Sequence, residues 1–176
     1  MDTKENKANP MREIAIDKVT INVGVGSPGE RMDSIRTFME NLMSAKFVET
    51  KAKKRNPVFK LREGLPIGMK ATFRGAKALD ILNRALDSRK KKLSKGNFDK
   101  LGNFSFGVRE YIDYPGAKYN PKVGMFGFDV CVTLARKGKR VSERMKMARK
   151  IGKKHLINAE EAVGFAIRKL SAKIDN

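Results

Sequence analysis

The feature that most constrains the fold is a two-residue alternation of apolar and small or polar side chains in four segments. In IGMKATFR at 67–74 every second residue is apolar, and the same pattern occupies 19–26, 104–109 and 126–134. Successive side chains of a strand point to opposite faces, so each segment predicts a strand with one buried and one open face. Strands of parallel doubly wound sheets are buried on both faces and lack this alternation. The pattern therefore predicts an α+β fold, with helices on one face of a mostly antiparallel sheet.

Three apolar stripes at helical spacing supply the helices that cover this sheet. The first helix is predicted to begin with Ser27 as cap, Pro28 at its first position and Glu30 closing a capping box, and to end near Lys46. Its stripe consists of Met32, Ile35, Met39, Leu42 and Met43.

The other two helices lie after residue 75 and at the end of the chain. The second carries a stripe of Leu79, Leu82 and Leu86. The third spans 158–172, with Asn158 as cap and Glu161 at the capping-box position. Its stripe consists of Val163, Ala166, Ile167 and Leu170.

The remaining segments complete a single domain over residues 1–176. Residues 1–12 are predicted to be a flexible lead-in, 47–51 a short extended piece, and 93–103 a loop. The Pro-, Gly- and Tyr-rich stretch between the last two strands predicts a long irregular loop. A basic arm or helix is expected at 136–156, because Arg136 to Lys154 holds ten basic residues and one acid.

Charge indicates a polyanionic partner. Lys51 to Arg62 contains six basic residues and no acid, and the chain carries a formal charge of +20. Nucleic acid is the leading candidate and an anionic membrane surface the rival, although no apolar run approaches the ~20 residues of a spanning helix. A polar N-terminus and a single cysteine favour a cytoplasmic protein without disulfides.

The predicted open face favours a folded RNA over splayed single strands. Its residues are small, polar or positive: Asn22, Gly24, Lys70, Thr72, Arg74, Ser105 and Arg109. The aromatic residues fall on the predicted core side, where they cannot stack on bases: Phe73, Phe104, Phe106, Phe126 and Phe128. A face without rings suits sugar and phosphate contacts.

One motif favours a different function. Gly24, Gly26 and Gly29 form G-x-G-x-x-G after a strand and before a helix, and Glu49 lies 20 residues further on. Such a pattern binds dinucleotides when it belongs to a parallel βαβ unit. Here the strand alternates and no second half remains for a catalytic domain. The glycines are better explained by a tight turn or by close approach of RNA.

Other catalytic chemistry is sparse. The chain has one histidine, His155, and one cysteine, Cys131, so a common zinc site or a Cys–His nucleophile pair would have to be built from these single residues. Asp129 on the open face could act as a base, but a lone carboxylate among basic residues is more often a charge partner. We therefore expect no enzyme activity, no metal and no cofactor.

Several blocks of sequence together resemble one known family. KVTINVGVG at 18–26, TKAKKRNPVFKLREGLPIGMKATFRG at 50–75, GNFSFGVREYIDYPG at 102–116 and GFDVCVTL at 127–134 are similar to the universal large-subunit ribosomal protein five family, which binds 5S rRNA. The resemblance covers residues 12 to 135 in order. The basic tail resembles the archaeal and eukaryotic branch, and the short N-terminus departs from the bacterial pattern. An archaeal source is therefore expected.

The resemblance implies a structural role in the central protuberance of the large ribosomal subunit, where the family attaches 5S rRNA to the large-subunit rRNA. It implies rRNA contacts in the N-x-G-x-G turn and the K-x-T-x-R-G strand. With the basic loop and the open face, the expected rRNA-binding residues are Asn22, Gly24, Gly26, Lys53, Lys54, Arg55, Lys70, Thr72, Arg74 and Arg109.

The family resemblance also implies a contact with the elbow of P-site tRNA and a bridge to a protein in the small-subunit head. The tRNA-proximal residues would be Lys60, Arg62, Gly64, Pro66 and Gly68. Alternatives to a ribosomal role are a single-domain dinucleotide-binding enzyme, a generic basic nucleic-acid or chromatin protein, and a membrane-surface protein that binds through the arm at 136–154.

Overall fold

Seven strands and four helices make up the part of the chain that the structure describes. A computed structural model describes residues 9–26 and 29–175. The strands are β1 Ile14–Gly24, β2 Val48–Lys51, β3 Pro66–Phe73, β4 Lys92–Ser94, β5 Phe104–Val108, β6 Phe128–Arg136 and β7 Lys173–Asp175. The helices are α1 Glu30–Met43, α2 Gly75–Ser88, α3 Arg140–Glu143 and α4 Ala159–Leu170. Short 3-10 turns occupy Pro10–Arg12, Lys95–Asn97, Tyr111–Asp113 and Lys153–His155.

The main sheet has five strands in the order β2-β3-β1-β6-β5. Every neighbouring pair in it is antiparallel. This confirms the predicted α+β class with a mostly antiparallel sheet. The central strand β1 is paired on both sides, with β3 and with β6.

A bulge in β1 explains why this strand begins earlier than its alternation predicts. The register against β6 advances from Ile16 opposite Leu134 to Lys18 opposite Thr133, so Asp17 is an extra residue on β1. Ile14 and Ile16 pack toward the core at even positions, whereas Val19 and the residues that follow do so at odd positions. Because of the bulge, the apolar residues before and after Asp17 point to the same, core-facing side of the sheet. Strand β1 therefore starts at Ile14 instead of residue 19.

Helices α1, α2 and α4 contribute their apolar faces to one continuous core on one side of the sheet. Met32, Ile35, Met39 and Met43 of α1 are buried, as its stripe predicts, and Leu42 is partly buried. Two predicted core positions are wrong, since Leu79 is 46% exposed and Ile167 is 50% exposed. The buried faces of α2 and α4 are rotated relative to the predicted stripes, and they include Ala78, Ile81, Ala85, Ala162 and Phe165.

The helix ends agree with the sequence in one case and differ in the other. In α4 the side chains of Asn158 and Glu161 form the predicted capping box. Helix α1 begins at Glu30, directly after Gly29, and ends at Met43 because Ser44 adopts a left-handed conformation with φ of 48°. The predicted cap Ser27 and the residue Pro28 lie outside the described residues.

A second sheet occupies a segment predicted to be a loop. Strands β4 and β7 pair in parallel, with Leu93 opposite Ile174. The loop prediction for 93–103 is therefore wrong at its start. The last helix was predicted to reach 172 but ends at Leu170, because Ser171 adopts a left-handed conformation with φ of 51°. Leu93 is 1% exposed, so this small sheet closes one end of the core.

The basic arm is mostly irregular and exposed. It contains only the four-residue helix α3 and the turn at Lys153–His155. Its first residue, Arg136, is instead the end of β6 and is largely buried, with a side chain 7% exposed. The arm thus leaves the sheet at a fixed point beside α4, where Arg136 pairs with Glu161 at 2.7 Å.

Candidate nucleic-acid interface

The sheet face away from the helices carries a row of polar residues that runs across four strands. Asn22 in the central strand lies between Lys70 of β3 and Asp129 of β6, and Gly107 of β5 lies beyond Asp129. We call this surface the open face and define it by Thr20, Asn22, Lys70, Thr72, Ser105, Asp129 and Cys131. The antiparallel register places their side chains on one side because every second residue of each strand points outward.

A second row lies one step along the strands. Thr72, Thr20, Cys131 and Ser105 are register neighbours across β3, β1, β6 and β5. The hydroxyl oxygens of Thr20 and Thr72 are 3.4 Å apart and share a hydrogen bond. These side chains are short, so the surface can approach a sugar-phosphate backbone closely.

Aromatic rings are absent from the open face. As predicted, the phenylalanines of β3, β5 and β6 are at most 5% exposed: Phe73, Phe104, Phe106 and Phe128. Phe126, just before β6, is partly buried against the core. The open face therefore offers no ring for base stacking. It offers hydroxyl groups, an amide and the ammonium group of Lys70, with the carboxylate of Asp129 on the same surface.

Two cations are fixed at one end of the open face by a single carboxylate. Asp17, at the bulge of β1, accepts a hydrogen bond from Arg74 at 2.9 Å and one from Lys139 at 2.8 Å. Lys139 also pairs with Glu143 of α3 at 3.3 Å. The side chain of Arg74 is nonetheless 62% exposed. Asp17 thus connects the open face to the start of the basic arm without removing Arg74 from solvent.

The ionisation of these groups follows from their contacts. Burial by itself would raise the pKa of Asp17, but the hydrogen bond from Lys139 and the charges of Lys139, Arg74 and Lys18 lower it below its ordinary value. Burial acts to lower the pKa of Lys139, yet the hydrogen bonds and charges of Asp17 and Glu143 raise it. Asp17 and Lys139 are therefore both charged at neutral pH.

The other titratable groups of the open face do not form a reactive site. Burial, with a smaller contribution from the charge of Asp129, raises the pKa of the Cys131 thiol, which disfavours the thiolate. Within the described ranges no cluster of three or more His, Cys, Asp or Glu residues is arranged to hold a metal ion.

The basic loop predicted at Lys51 to Arg62 is part of a hairpin that extends from the edge of the sheet. Its base is closed by hydrogen bonds between Ala52 and Leu65 at 2.8 Å and between Gly64 and Ala52 at 3.0 Å. Asn56 and Leu61 exchange two further backbone bonds next to the tip. We call residues 51–66 the basic hairpin; its exposed cations are Lys51, Lys53, Lys54, Arg55, Lys60 and Arg62.

The glycines expected to contact RNA have different surroundings. Gly24 and Gly26 are exposed, and a Cβ added at either would meet nothing within 4 Å. Gly68 is buried opposite Gly24, and a Cβ there would lie 2.6 Å from the carbonyl oxygen of Val23. Gly24 and Gly26 can therefore admit a ligand, whereas Gly68 is required for close packing of β1 and β3.

The predicted site residues form two groups at different places on the sheet. Asn22, Lys70, Thr72 and Arg74 lie together on β1 and β3, next to the basic hairpin. Arg109 follows β5 at the opposite edge, about 20 Å from β2 at the usual strand spacing. A ligand that contacts both edges must therefore span about 20 Å.

The predicted list of site residues omitted four residues that lie on the open face or next to it. Thr20 and Thr133 lie on the outward positions of β1 and β6, a placement that the alternation alone could have given. Asp17 and Lys139 could not be found in this way, because they are 122 residues apart and meet only through the fold.

The geometry argues against the dinucleotide alternative. Strand β1 has antiparallel neighbours, and β3 lies between β1 and β2, so no adjacent parallel βαβ pair follows the glycines. Glu49, the acid expected to bind a ribose, pairs with Arg36 of α1 at 3.1 Å. No helix in the described ranges is both long enough and apolar enough to cross a membrane.

Comparisons with known proteins identify the family. The family described as "Ribosomal protein L5" matches residues 9–62, and the C-terminal family of the same ribosomal protein matches residues 66–165. "Large ribosomal subunit protein uL5" of Methanococcus vannielii is 44% identical over 168 residues, which is 94% of this chain and 93% of that protein. The protein of the same name from Pyrobaculum aerophilum is 40% identical over 169 residues, 96% of this chain and 94% of that protein. The chain therefore belongs to the ribosomal protein L5 family, in its archaeal type.

Proposed function

We propose that this protein binds 5S rRNA through the open face and attaches it to the large-subunit rRNA in the central protuberance. The observation that carries the proposal is a polar face without aromatic rings, which contains Lys70 and has Arg74 at one end, in a chain with a net charge of +20. Its family consists of ribosomal proteins and not of enzymes. A dinucleotide-binding enzyme is therefore not a candidate.

The mechanism has an electrostatic step and a shape-dependent step. The net charge attracts RNA over several ångströms, and neutralising about 6 to 10 phosphates would make the affinity strongly dependent on salt. The threonines, Asn22 and the exposed Gly24 would then accept only a backbone that follows the twist of the sheet. The second step distinguishes this proposal from generic binding to any nucleic acid.

The single cysteine allows a direct test of where the RNA lies. Cys131 is exposed in the middle of the open face, and its raised pKa means that alkylation should be measured at mildly alkaline pH. We expect 5S rRNA to slow alkylation of Cys131. In the control Cys131→Ser/Leu79→Cys, the thiol lies on the opposite side of the sheet and its alkylation should be unaffected. Unchanged alkylation of Cys131 in the presence of saturating 5S rRNA would contradict the proposal.

We further propose that the basic hairpin contacts the elbow of P-site tRNA, and that the protein bridges to the small-subunit head. In support, the hairpin is fixed at its base and its tip is exposed, with Phe59 71% exposed and Lys60 beside it. A short, anchored element can reach a second RNA while the open face holds the first. Loss of tRNA contact without loss of 5S rRNA binding in a hairpin variant would support this division.

A further inference from the structure

A cavity of about 620 Å³ lies on the helix-covered side of the molecule, away from the open face. It is formed by the turn at Pro10–Arg12, the start of β1, the end of β6 and α4. Its apolar lining comes from Pro10, Ile14 and Phe165. A volume of this size accommodates two or three side chains of a peptide.

The cavity has a positive rim. Arg12, Arg168 and Lys169 line it and form no ion pair with the other described residues. The acids at the site are already engaged, since Glu161 pairs with Arg136 at 2.7 Å and Glu13 with Lys137 at 3.5 Å. The rim therefore presents three positive charges to a ligand bound in the cavity.

Arg136 adds a buried polar group without a complete set of partners. Its side chain is 7% exposed and donates to Glu161 and to the carbonyls of His155 and Leu156. Its Nε is buried and has no hydrogen-bond partner among the described residues. A buried donor without an acceptor is unfavourable, and Arg136 is one of the residues that line the cavity.

We propose that this cavity binds a protein partner, through a segment that places an apolar side chain on Phe165 and Ile14 and flanking carboxylates on the cationic rim. Charge complementarity selects an acidic segment, and the apolar lining selects an anchor residue within it. RNA matches the site less well because its charged, hydrated backbone would have to enter a site whose lining at Pro10, Ile14 and Phe165 is apolar. The site is independent of the 5S rRNA proposal, since the two surfaces lie on opposite sides of the sheet.

The test uses defined peptides and the full chain. The probe is fluorescein-labelled acetyl-Glu-Asp-Leu-Phe-Glu-Asp-amide, and the control peptide has Ser-Ser in place of Leu-Phe. We expect the first peptide to bind and the second to bind at least about tenfold more weakly. Arg168→Glu/Lys169→Glu should weaken binding of the first peptide at least about tenfold. The matched variant Lys153→Glu/Lys154→Glu, with the same charge change at exposed positions outside the cavity, should not.

Two further measurements locate the peptide and separate the proposals. In protein labelled at isoleucine methyl groups, the peptide should shift the Ile14 signal and leave that of Ile67 unchanged. Peptide affinity should persist when 5S rRNA is bound. Equal binding by both charge-reversal variants, no shift at Ile14, or displacement of the peptide by a short oligouridylate would each overturn the proposal. None of these outcomes depends on whether the open face binds 5S rRNA.

Discussion

Asp17 and Lys139 lie 122 positions apart in the chain, yet the carboxylate of one accepts a hydrogen bond from the ammonium group of the other at 2.8 Å. The contact attaches the start of the basic arm to the bulge in the central strand. Because Asp17 also holds Arg74 at 2.9 Å, one acid organises two cations at the end of the proposed RNA surface. Asp17 is therefore a positioning group, since it fixes the positions in which Arg74 and Lys139 are available to a ligand.

Replacing Asp17 by Asn should release the basic arm. The variant loses the charge that holds Lys139, whose side chain is only 28% exposed in the pair. We expect faster tryptic cleavage between residues 139 and 150, measured by mass spectrometry under native conditions. The matched control is Glu13→Gln, which removes an acid paired with Lys137 where both side chains are largely exposed. Equal cleavage rates in wild type and Asp17→Asn would show that the contact does not hold the arm.

Replacing Arg74 by Ala should reduce affinity for 5S rRNA by about tenfold while changing the free energy of unfolding by less than about 1 kcal/mol. The reason is that Arg74 is largely exposed and its ion pair with Asp17 is near the surface. Binding is measured by filter retention and stability by urea denaturation.

Arg84 of α2 provides the control for this prediction. It also pairs with an aspartate, Asp80 at 2.9 Å, but on the helix side of the sheet. Arg84→Ala should leave 5S rRNA affinity unchanged. If Arg74→Ala unfolds the protein, or if both variants lose the same affinity, Arg74 is not an RNA contact.

Replacing Lys53, Lys54 and Arg55 by Ala should weaken RNA binding and make it less dependent on salt. For every phosphate that the protein no longer neutralises, the slope of log affinity against log salt concentration falls by about 0.7 to 0.9. The experiment compares 5S rRNA with tRNA, which shows which RNA the basic hairpin touches. The control Arg31→Ala/Lys77→Ala/Arg84→Ala removes three cations from the helix side. An unchanged slope for both RNAs would show that the hairpin contacts neither.

The ion pair between Glu161 and Arg136 should make stability depend on pH. Burial would raise the pKa of Glu161, but the hydrogen bonds from the Asn158 backbone and Arg136 and the charges of Arg136 and Arg12 lower it below its ordinary value of 4.5. A lowered pKa means that the unfolded chain binds the proton more tightly. The stabilisation is therefore present above the unfolded value and is lost as pH falls through the folded value.

The measurement compares wild type with Glu161→Gln. At pH 7 the variant should be less stable by about 1 kcal/mol, a small value because Glu161 is 43% exposed and solvent screens the pair. The difference should shrink below about pH 4. Glu160→Gln in the same helical turn, which forms no ion pair with the other described residues, should show little of this effect. A pH-independent difference would assign the loss to the cap and not to the ion pair.

Gly68→Ala should destabilise the protein by about 2 kcal/mol, because its Cβ would lie 2.6 Å from the carbonyl oxygen of Val23 and the two strands would have to move apart. The control is Gly24→Ala, the register neighbour of Gly68, where a Cβ meets nothing within 4 Å. Both are measured by thermal and urea unfolding. Equal stability of the two variants would contradict the close contact of β1 with β3.

The alternation of side chains predicted the fold class and most of the open face. It placed Lys70 and Thr72 outward and Met69 and Phe73 inward because strand geometry is local. It failed before Val19, where the extra residue Asp17 reverses the parity of β1. It also missed the pairing of β4 with β7, since two three-residue strands about 80 positions apart carry no periodic signal.

The candidate site was predictable to the same extent. Asn22, Lys70, Thr72 and Arg74 follow from parity and charge, and the register brings them together. The contacts of Asp17 and the cavity beside α4 could not be predicted, because they depend on how the arm leaves β6 and where α4 packs. The burial of Leu79 and Ile167 was predicted wrongly for a similar reason: a wide apolar stripe on a helix does not determine which of its edges is buried.

The most direct test of the central claim is binding of the protein to 5S rRNA in an excess of unrelated duplex RNA and DNA at physiological salt. We predict that tight binding survives the competitors, and that it weakens in Arg74→Ala but not in Arg84→Ala. Such a result would mean that the open face recognises the shape of 5S rRNA. If the competitors abolish binding to 5S rRNA equally for wild type and both variants, the claim is contradicted. The surface would then attract nucleic acids by charge alone.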